Sequence, residues 1–399
     1  MKYVAVMGYG TVGSGVVEVL KTNKDIIAKN VGEELNLKYV LDLRDFPGDP
    51  IQEVITHNFE DILNDEEVAV VAEVMGGIEP AYTFTKKCLM AGKSVCTSNK
   101  AVVEKHGAEL LAIAKEHNVN YLFEASVGGG IPIIRPLHSC LTADVIEEVS
   151  GILNGTTNYM LTKMSREGAN YEDVLKDAQN KGYAERNPEA DVEGHDAGRK
   201  IAILTALISG KKVDFQDIYC EGISKVTPED IAYAKAMGME IKLLGSSKRT
   251  GEQYSIMVSP KMLPASHPLY SVNDVFNAIF VKGNMLGDSM FYGSGAGKLP
   301  TASAVAGDIV EAAKVAENLG YLWSEEKAKL ANVDAVENKF FVRTTASVEE
   351  VKEAFGCVQV LDKVVAGELG FVTETMTEAS YKECAAKLNG IISMIRVEG

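Results

Sequence analysis

The stretch that decides the fold opens the chain: Val4-Ala5-Val6-Met7-Gly8-Tyr9-Gly10-Thr11-Val12-Gly13. An apolar run feeds a Gly-x-Gly-x-x-Gly loop, and Val12 to Leu20 then carry apolar residues at helical spacing. Gly8 permits a tight turn, Gly10 lets a diphosphate approach the backbone, and Gly13 lets the helix start close to the strand. The N–H groups and positive dipole end of that helix hold the diphosphate. Alone, the motif also describes a glycine-rich turn. Four further β-like runs follow, at Tyr39-Val40-Leu41, Val68 to Val74, Ser94 to Thr97 and Asn120 to Phe123. They are continuous, not alternating, as in strands buried on both faces. With helices expected over Pro80 to Ala91 and Glu104 to His117, this is the β-α-β rhythm of a doubly wound parallel sheet. Residues 1–130 thus read as a Rossmann-type dinucleotide-binding domain, completed by the helix at about 301–325.

The 399 residues suggest two or three domains at roughly 150 each. With 46% apolar and 24% charged residues the composition is that of a globular protein, and a net charge of −16 disfavours nucleic-acid and anionic-membrane partners. No apolar run reaches the roughly 18 residues of a spanning helix, and residues 1–8 read as a strand, not as a signal peptide. The six cysteines are scattered, with no C-x-x-C, which points to reduced thiols in the cytoplasm. The six histidines form no zinc-ligand pattern, whereas sites built from backbone carbonyls leave no mark in a sequence.

After Gly128-Gly129-Gly130-Ile131-Pro132 the rhythm changes. Residues 131–300 mix long helices with strands such as Val149 to Leu153, an α+β domain, and Ala302 to Gly320 reads as one long small-residue helix. Residues 338–397 run strand, helix, strand, strand, helix, strand, the ferredoxin-like plan, so 335–399 is expected to be a separate small domain.

Three places carry chemistry. Asp42 suits the free 2′-hydroxyl of an NAD ribose, whereas Arg44 suits the 2′-phosphate of NADP, and the two point to different cofactors. Lys100 follows the fourth β-run, where ligands of open parallel sheets bind. The segment Gly182 to Lys200 is a carboxylate-rich loop running into a helix that continues apolar on every side to Ile208. Asp196 and Lys200 lie one turn apart on a stripe with Ile203 and Leu207, so they form a buried pair instead of a solvated one. The one nearby candidate to orient His195 is Asp196, which points to another helix face, so His195 reads as a bystander.

This segment resembles the homoserine dehydrogenase family. The pattern Ala-x3-Gly-aromatic-small, then Asn/Asp-Pro-x2-Asp-apolar-x-Gly-x-Asp-x3-Lys, is met from Ala178 to Lys200. Val74 to Ala81, Thr97 to Ala101, Glu124 to Pro132, Asn154 to Tyr159, Gly295 to Gly297 and Pro300 to Val305 agree as well, over roughly residues 1–325. The resemblance implies NAD- or NADP-dependent interconversion of L-homoserine and L-aspartate 4-semialdehyde in threonine, methionine and isoleucine biosynthesis. It implies Lys200 as proton donor and acceptor with Asp196 and Lys100 beside it, and Glu185, Asp191 and Thr156 at the substrate. Cofactor contacts fall on Gly8, Gly10, Thr11, Val12, Gly13, Asp42, Arg44, Gly76, Ser98, Lys100 and Gly297. The backbone carbonyls of Glu124, Val127, Gly129 and Ile131 match a structural sodium site. Residues 131–300 become the homoserine-binding catalytic and dimerisation domain of a homodimer or homotetramer. Residues 335–399 resemble an ACT regulatory domain in element order, with threonine as effector, although the Asp-x-Pro-Gly turn after the first strand is missing.

The chemistry is coherent without the family. Oxidising an alcohol with a nicotinamide requires a proton to move at the oxygen, and a lysine does this once burial and a second ammonium group lower its pKa. Carboxylates at Glu185 and Asp191 suit an α-ammonium group. Two rivals stand beside this reading. Aspartate semialdehyde dehydrogenase chemistry needs a cysteine nucleophile, for which Cys96 lies within a strand. A non-catalytic NAD sensor has no use for Asp196 and Lys200.

Overall fold

The computed structural model describes residues 2–315 and 317–398. Met1, Ala316 and Gly399, which belong to the expected first strand, long helix and C-terminal domain, lie outside the described residues. The chain forms two compact units, residues 1–144, 202–215 and 291–328 in the first and 145–201, 216–290 and 329–399 in the second.

Unit 1 holds the parallel sheet. Its strands are β1 (Lys2–Met7), β2 (Leu35–Leu41), β3 (Ile55–Thr56), β4 (Val68–Glu73), β5 (Ser94–Thr97) and β6 (Tyr121–Leu122), in the order β3-β2-β1-β4-β5-β6. All pairings are parallel, and the order reverses direction at β1. That order is the doubly wound one, whose ligand crevice lies at the carboxyl ends of β1 and β4. The helices are α1 (Thr11–Thr22), α2 (Lys24–Val31), α3 (Phe59–Leu63), α4 (Ala81–Met90) and α5 (Lys100–Glu116). The edge strand β3 is two residues long and left no signal in the sequence.

The long small-residue helix runs Lys298–Lys314 and packs on α1, β4 and β5. It starts earlier and ends earlier than expected over 302–320. Its end is set by asparagines: Asn318 N–H donates to Asn118 Oδ1 (3.1 Å) and Leu319 N–H to Asn120 Oδ1 (2.8 Å). These bonds draw 318–319 out of helical geometry and against the start of β6.

Unit 2 is built on a mixed sheet. From Phe276–Gly283 it runs through Ile146–Ile152, Met239–Thr250 and Gln253–Pro264, then Ile391–Val397, Glu337–Thr344, Leu369–Thr373 and Val358–Leu361. The last four strands, with helices Val348–Phe355 and Glu378–Ala385, follow the strand-helix order expected for 338–397. Ser347 and Glu350 close a capping box on the first of these helices. Phe340, Val342, Phe355, Phe371 and Tyr381 form a core beneath them.

The sheet, however, is continuous across residue 335. Ile391–Val397 pairs in parallel with Gln253–Pro264 (Lys261↔Arg396, Met262↔Val397), so the C-terminal elements belong to the same compact unit as residues 145–201. Charges reinforce this seam. Glu398 N–H donates to Met262 O (3.0 Å), and its carboxylate meets Lys248 Nζ (2.5 Å) and Lys261 Nζ (2.6 Å). Burial pushes the Glu398 carboxyl up, but Lys261 and Lys248 overcome it and hold its pKa at about 2. A folded-state pKa below the unfolded value of 4.5 means that this contribution is complete above pH 4.5 and fades as pH falls toward 2. Glu398→Gln should therefore remove stability on the order of 2–3 kcal/mol above pH 5 and flatten the stability profile below it. Urea unfolding across that range measures this; parallel profiles for the two proteins would show that the seam carries no such linkage.

Candidate active site

At the end of β1 the Gly8 N–H donates to Leu41 O (2.7 Å), closing the glycine loop onto β2. A Cβ on Gly13 would stand 1.9 Å from Gly8 O, so only glycine lets α1 begin this close to the strand. Gly10 caps α1 without a side-chain hydrogen bond, and a Cβ there would meet nothing within 4 Å. The first-turn N–H groups of Thr11, Val12 and Gly13 have no intrahelical acceptors, which is how a helix presents itself to an anion. Beside them is a cavity of about 540 Å³ whose walls include Gly8, Gly10, Asp42, Arg44, Met75 and Gly76. A glycine loop, an uncapped helix start and this volume fit a dinucleotide.

Asp42 and Arg44, which the sequence set against each other, are one unit. Arg44 Nε and Nη2 donate to Asp42 Oδ1 (2.9 Å) and Oδ2 (3.0 Å), and Tyr9 N–H donates to Oδ2 (2.8 Å). Arg44 beside it holds the Asp42 carboxyl well below the usual carboxylate range. Arg44 also donates to Tyr9 O (3.1 Å), so the pair is bolted to the glycine loop.

Sequence reasoning missed Glu73. It ends β4 fully buried, accepting from Met75 N–H (2.9 Å) and Thr97 Oγ1 (2.7 Å), and burial pushes its pKa up. With Asn99, whose side-chain amide donates to Gly77 O (2.6 Å), it fixes the turn that carries Gly76. The available signal was a lone carboxylate inside the apolar run Val68 to Val74. Ser98 and Lys100 are both half-buried, with Lys100 opening α5, and Gly297 (φ +112°) caps the helix Lys298–Lys314. Segment 124–131 is nearly all buried. Its Glu124 carboxylate accepts from the N–H groups of Ile133 (2.5 Å), Ile134 (2.8 Å) and Arg135 (2.8 Å). Asp308 accepts from Glu124 N–H (2.9 Å) and Arg135 Nη2 (2.8 Å), while burial pushes its carboxyl up to about 7. No group of three His, Cys, Asp or Glu side chains suited to a metal occurs among the described residues. Cys96 is fully buried, which pushes its thiol well above the ordinary range, away from the thiolate an acyl-forming nucleophile needs.

Unit 2 holds the charged pair. Asp196 and Lys200 sit in the helix His195–Ser209 with 4% and 8% exposure, as the stripe predicted. Lys200 Nζ donates to Asp196 Oδ2 (2.8 Å) and to Leu153 O (2.7 Å). Asn154 organises the whole cluster. Its Oδ1 accepts from Thr157 N–H (2.9 Å), capping the helix Gly155–Glu167, and its Nδ2 donates to Asp191 Oδ1 (2.7 Å) and Asp196 Oδ2 (2.9 Å). The structure thus brings Asp191, Asp196 and Lys200 together through Asn154. Thr156, in the first turn of the same helix, donates to Tyr183 O (2.6 Å). Glu185 stands exposed beyond it, its own carbonyl accepting from Gln179 Nε2 (3.1 Å). His195 is half-buried at the start of its helix. A buried lysine paired to a carboxylate, beside a second carboxylate near the surface, can exchange a proton and bind a cationic group at neighbouring points.

Comparison with known proteins agrees with both halves. Residues 8–124 match the family model described as homoserine dehydrogenase, NAD binding domain, and residues 132–310 the model described as homoserine dehydrogenase. A homoserine dehydrogenase of Bacillus subtilis is 45% identical over 318 residues, covering 78% of this chain and 72% of its own. The crystal structure of a homoserine dehydrogenase from Thiobacillus denitrificans matches with a TM-score of 0.90 at 33% identity, over 100% of this chain and 98% of that one. A hyperthermophilic archaeal homoserine dehydrogenase in complex with NADPH matches with a TM-score of 0.67 at 28% identity, over 78% and 98% of the two chains.

Proposed function

This chain belongs to the homoserine dehydrogenase family, and from that premise we propose how its residues divide the work. The activity is the NAD(P)-dependent interconversion of L-homoserine and L-aspartate 4-semialdehyde, a step toward threonine and methionine. The cofactor, when bound, takes up or delivers the hydride. Gly8, Gly10, Thr11, Val12, Gly13 and Gly297 would hold its diphosphate, and Gly76, Ser98 and Lys100 would add further contacts. The reading of 1–130 with 301–325 as the cofactor domain rests on the parallel sheet and the packing of helix Lys298–Lys314 against it.

Within 131–300, the homoserine-binding domain, Lys200 moves the proton. In the oxidation a neutral Lys200 amine takes the hydroxyl proton as hydride leaves the carbon; in the reduction the ammonium returns it to the carbonyl oxygen. Asp196 and Leu153 O keep Nζ in place, and Lys100 is the second lysine that the resemblance assigns to catalysis. Asp191 and Glu185 receive the α-ammonium group, with Thr156 at the entrance. The buried Lys200–Asp196 pair, tied through Asn154 to Asp191, carries this reading. Lys200→Ala should lower kcat by about 10²–10⁴ with little change in homoserine KM. Glu185→Ala should instead raise KM more than it lowers kcat. Near-full kcat in a normally melting Lys200→Ala protein would hand the proton to another group.

Both cofactors are accepted, and the Asp42–Arg44 pair balances them. An NADP 2′-phosphate has to win Arg44 away from Asp42, so Asp42→Ala should raise the NADP-to-NAD ratio of kcat/KM; an unchanged ratio would place the ribose elsewhere. Sodium suits the buried backbone oxygens of Glu124, Val127, Gly129 and Ile131, because carbonyls are ligands for hard cations. Exchange into tetramethylammonium buffer should then lower the melting temperature, and an unchanged one removes the ion.

Exposed Met285, Leu286 and Met290 at one end of the unit 2 sheet support a homodimer or homotetramer, which light scattering tests against a monomer. No described helix is long and apolar enough to cross a membrane, and the scattered thiols support a cytoplasmic enzyme. Residues 335–399 serve as an ACT-like regulatory domain with threonine as effector, supported by their strand order. Calorimetric titration of the full chain with threonine should show saturable binding and weaker homoserine turnover; no heat and no inhibition would remove that role.

A further inference from the structure

The C-terminal strand Ile391–Val397 buries an arginine with no part in the hydrophobic core beneath it. Arg396 is 2% exposed. Its Nε and Nη2 take both oxygens of Glu378 (2.6 and 2.9 Å), which belongs to the same C-terminal fold. Its Nη1 reaches out of that fold to Glu221 Oε2 (2.6 Å), and its guanidinium lies over the Tyr219 ring, 5.2 Å from the centroid. Tyr219 Oη donates to the same Glu221 oxygen (3.1 Å).

Glu221 anchors the two residues after it. Its N–H donates to Val258 O (2.8 Å), and Ile223 N–H donates to Val192 O (2.8 Å). Between them, Gly222 is pressed so closely onto the turn at 192–194 that a Cβ would lie 2.1 Å from Val192 O and 2.4 Å from Glu193 Cα. That turn separates Asp191 from Asp196: Gly194 N–H donates to Asp191 O (3.0 Å), and helix His195–Ser209 starts immediately after. An unbroken path of contacts therefore runs from Arg396 through Glu221 and Gly222 to the backbone that carries Asp191.

We propose that Arg396 is a positioning residue for homoserine binding, holding Glu221 so that segment 221–223 sets the 192–194 turn and with it the Asp191 carboxylate. The inference rests on the reading of Asp191 as the ammonium-binding group. It gives the C-terminal fold a direct hold on substrate affinity, so that any displacement of strand Ile391–Val397 changes homoserine KM before it changes kcat.

Removing Arg396 outright strands two carboxylates and threatens folding, so the test uses Glu221→Gln and Arg396→Lys in the full-length enzyme. Glu221→Gln is expected to raise homoserine KM by about 5–20-fold, with kcat and the NAD(P) KM within about twofold and a nearly unchanged melting temperature. Arg396→Lys, which keeps the charge but not the fork, is expected to fall between wild type and Glu221→Gln. Asp191→Ala is run alongside. If it raises homoserine KM while the other two variants leave KM unchanged and shift only the melting temperature, the ion pair is a fold staple and the proposal is overturned. If Asp191→Ala leaves KM unchanged, the reading of Asp191 fails, and the proposal fails with it.

Discussion

A lysine ammonium taken out of water has to find oxygen atoms for its protons, and Lys200 imposes that demand on everything around it. An uncompensated charge at this depth costs several kcal/mol. The acceptors come from two directions, the Asp196 carboxylate one helical turn earlier and the Leu153 carbonyl just past strand Ile146–Ile152. Asp196 is a second buried charge and needs its own donors, and Asn154 supplies one while capping the next helix. One strand end, one helix start and the buried helix His195–Ser209 are thus registered against each other by a single ammonium group. The same arrangement suits proton transfer, since a side chain held by three elements does not wander when a substrate arrives.

Unit 1 solves a different problem. An NAD(P) diphosphate is an anion, and the glycine loop and helix start of this unit offer it backbone N–H groups. The glycine loop brings β1 and α1 to near contact at Gly8 and Gly13, and Glu73 and Asn99 brace the opposite turn. At the wall of the cavity beside that loop Asp42 and Arg44 neutralise each other. A chain of net charge −16 gains from this design, because amide dipoles attract a diphosphate without a basic patch.

Much of this was legible in the sequence because it depends on local pattern. The glycine loop, the continuous apolar runs and the Asp196–Lys200 spacing each report one element, and each element was found in place. What stayed hidden depends on pairs far apart in the chain. Asn154 follows the strand-like run Val149 to Leu153, and nothing within a few residues says that its amide reaches Asp191 and Asp196. Glu73 reads as the polar end of a strand until Thr97 is placed beside it. The β-α-β-β-α-β order of 338–397 suggests a domain apart. Its seam with strand Gln253–Pro264 rests on Arg396, Glu398 and partners more than a hundred residues away. The helix end at Lys314 was missed for the same reason, since the asparagines that unwind 318–319 lie at 118 and 120.

The central claim is that Lys200 moves a proton and does not merely present a charge. Arginine separates the two, because its guanidinium stays protonated across the working range of any dehydrogenase. In steady-state assays of homoserine oxidation, Lys200→Arg should keep cofactor and homoserine KM near the native values while kcat falls by about 10²–10⁴ at every pH. A Lys200→Arg enzyme that turns over at close to the native rate would contradict the account and reduce Lys200 to a fixed positive charge.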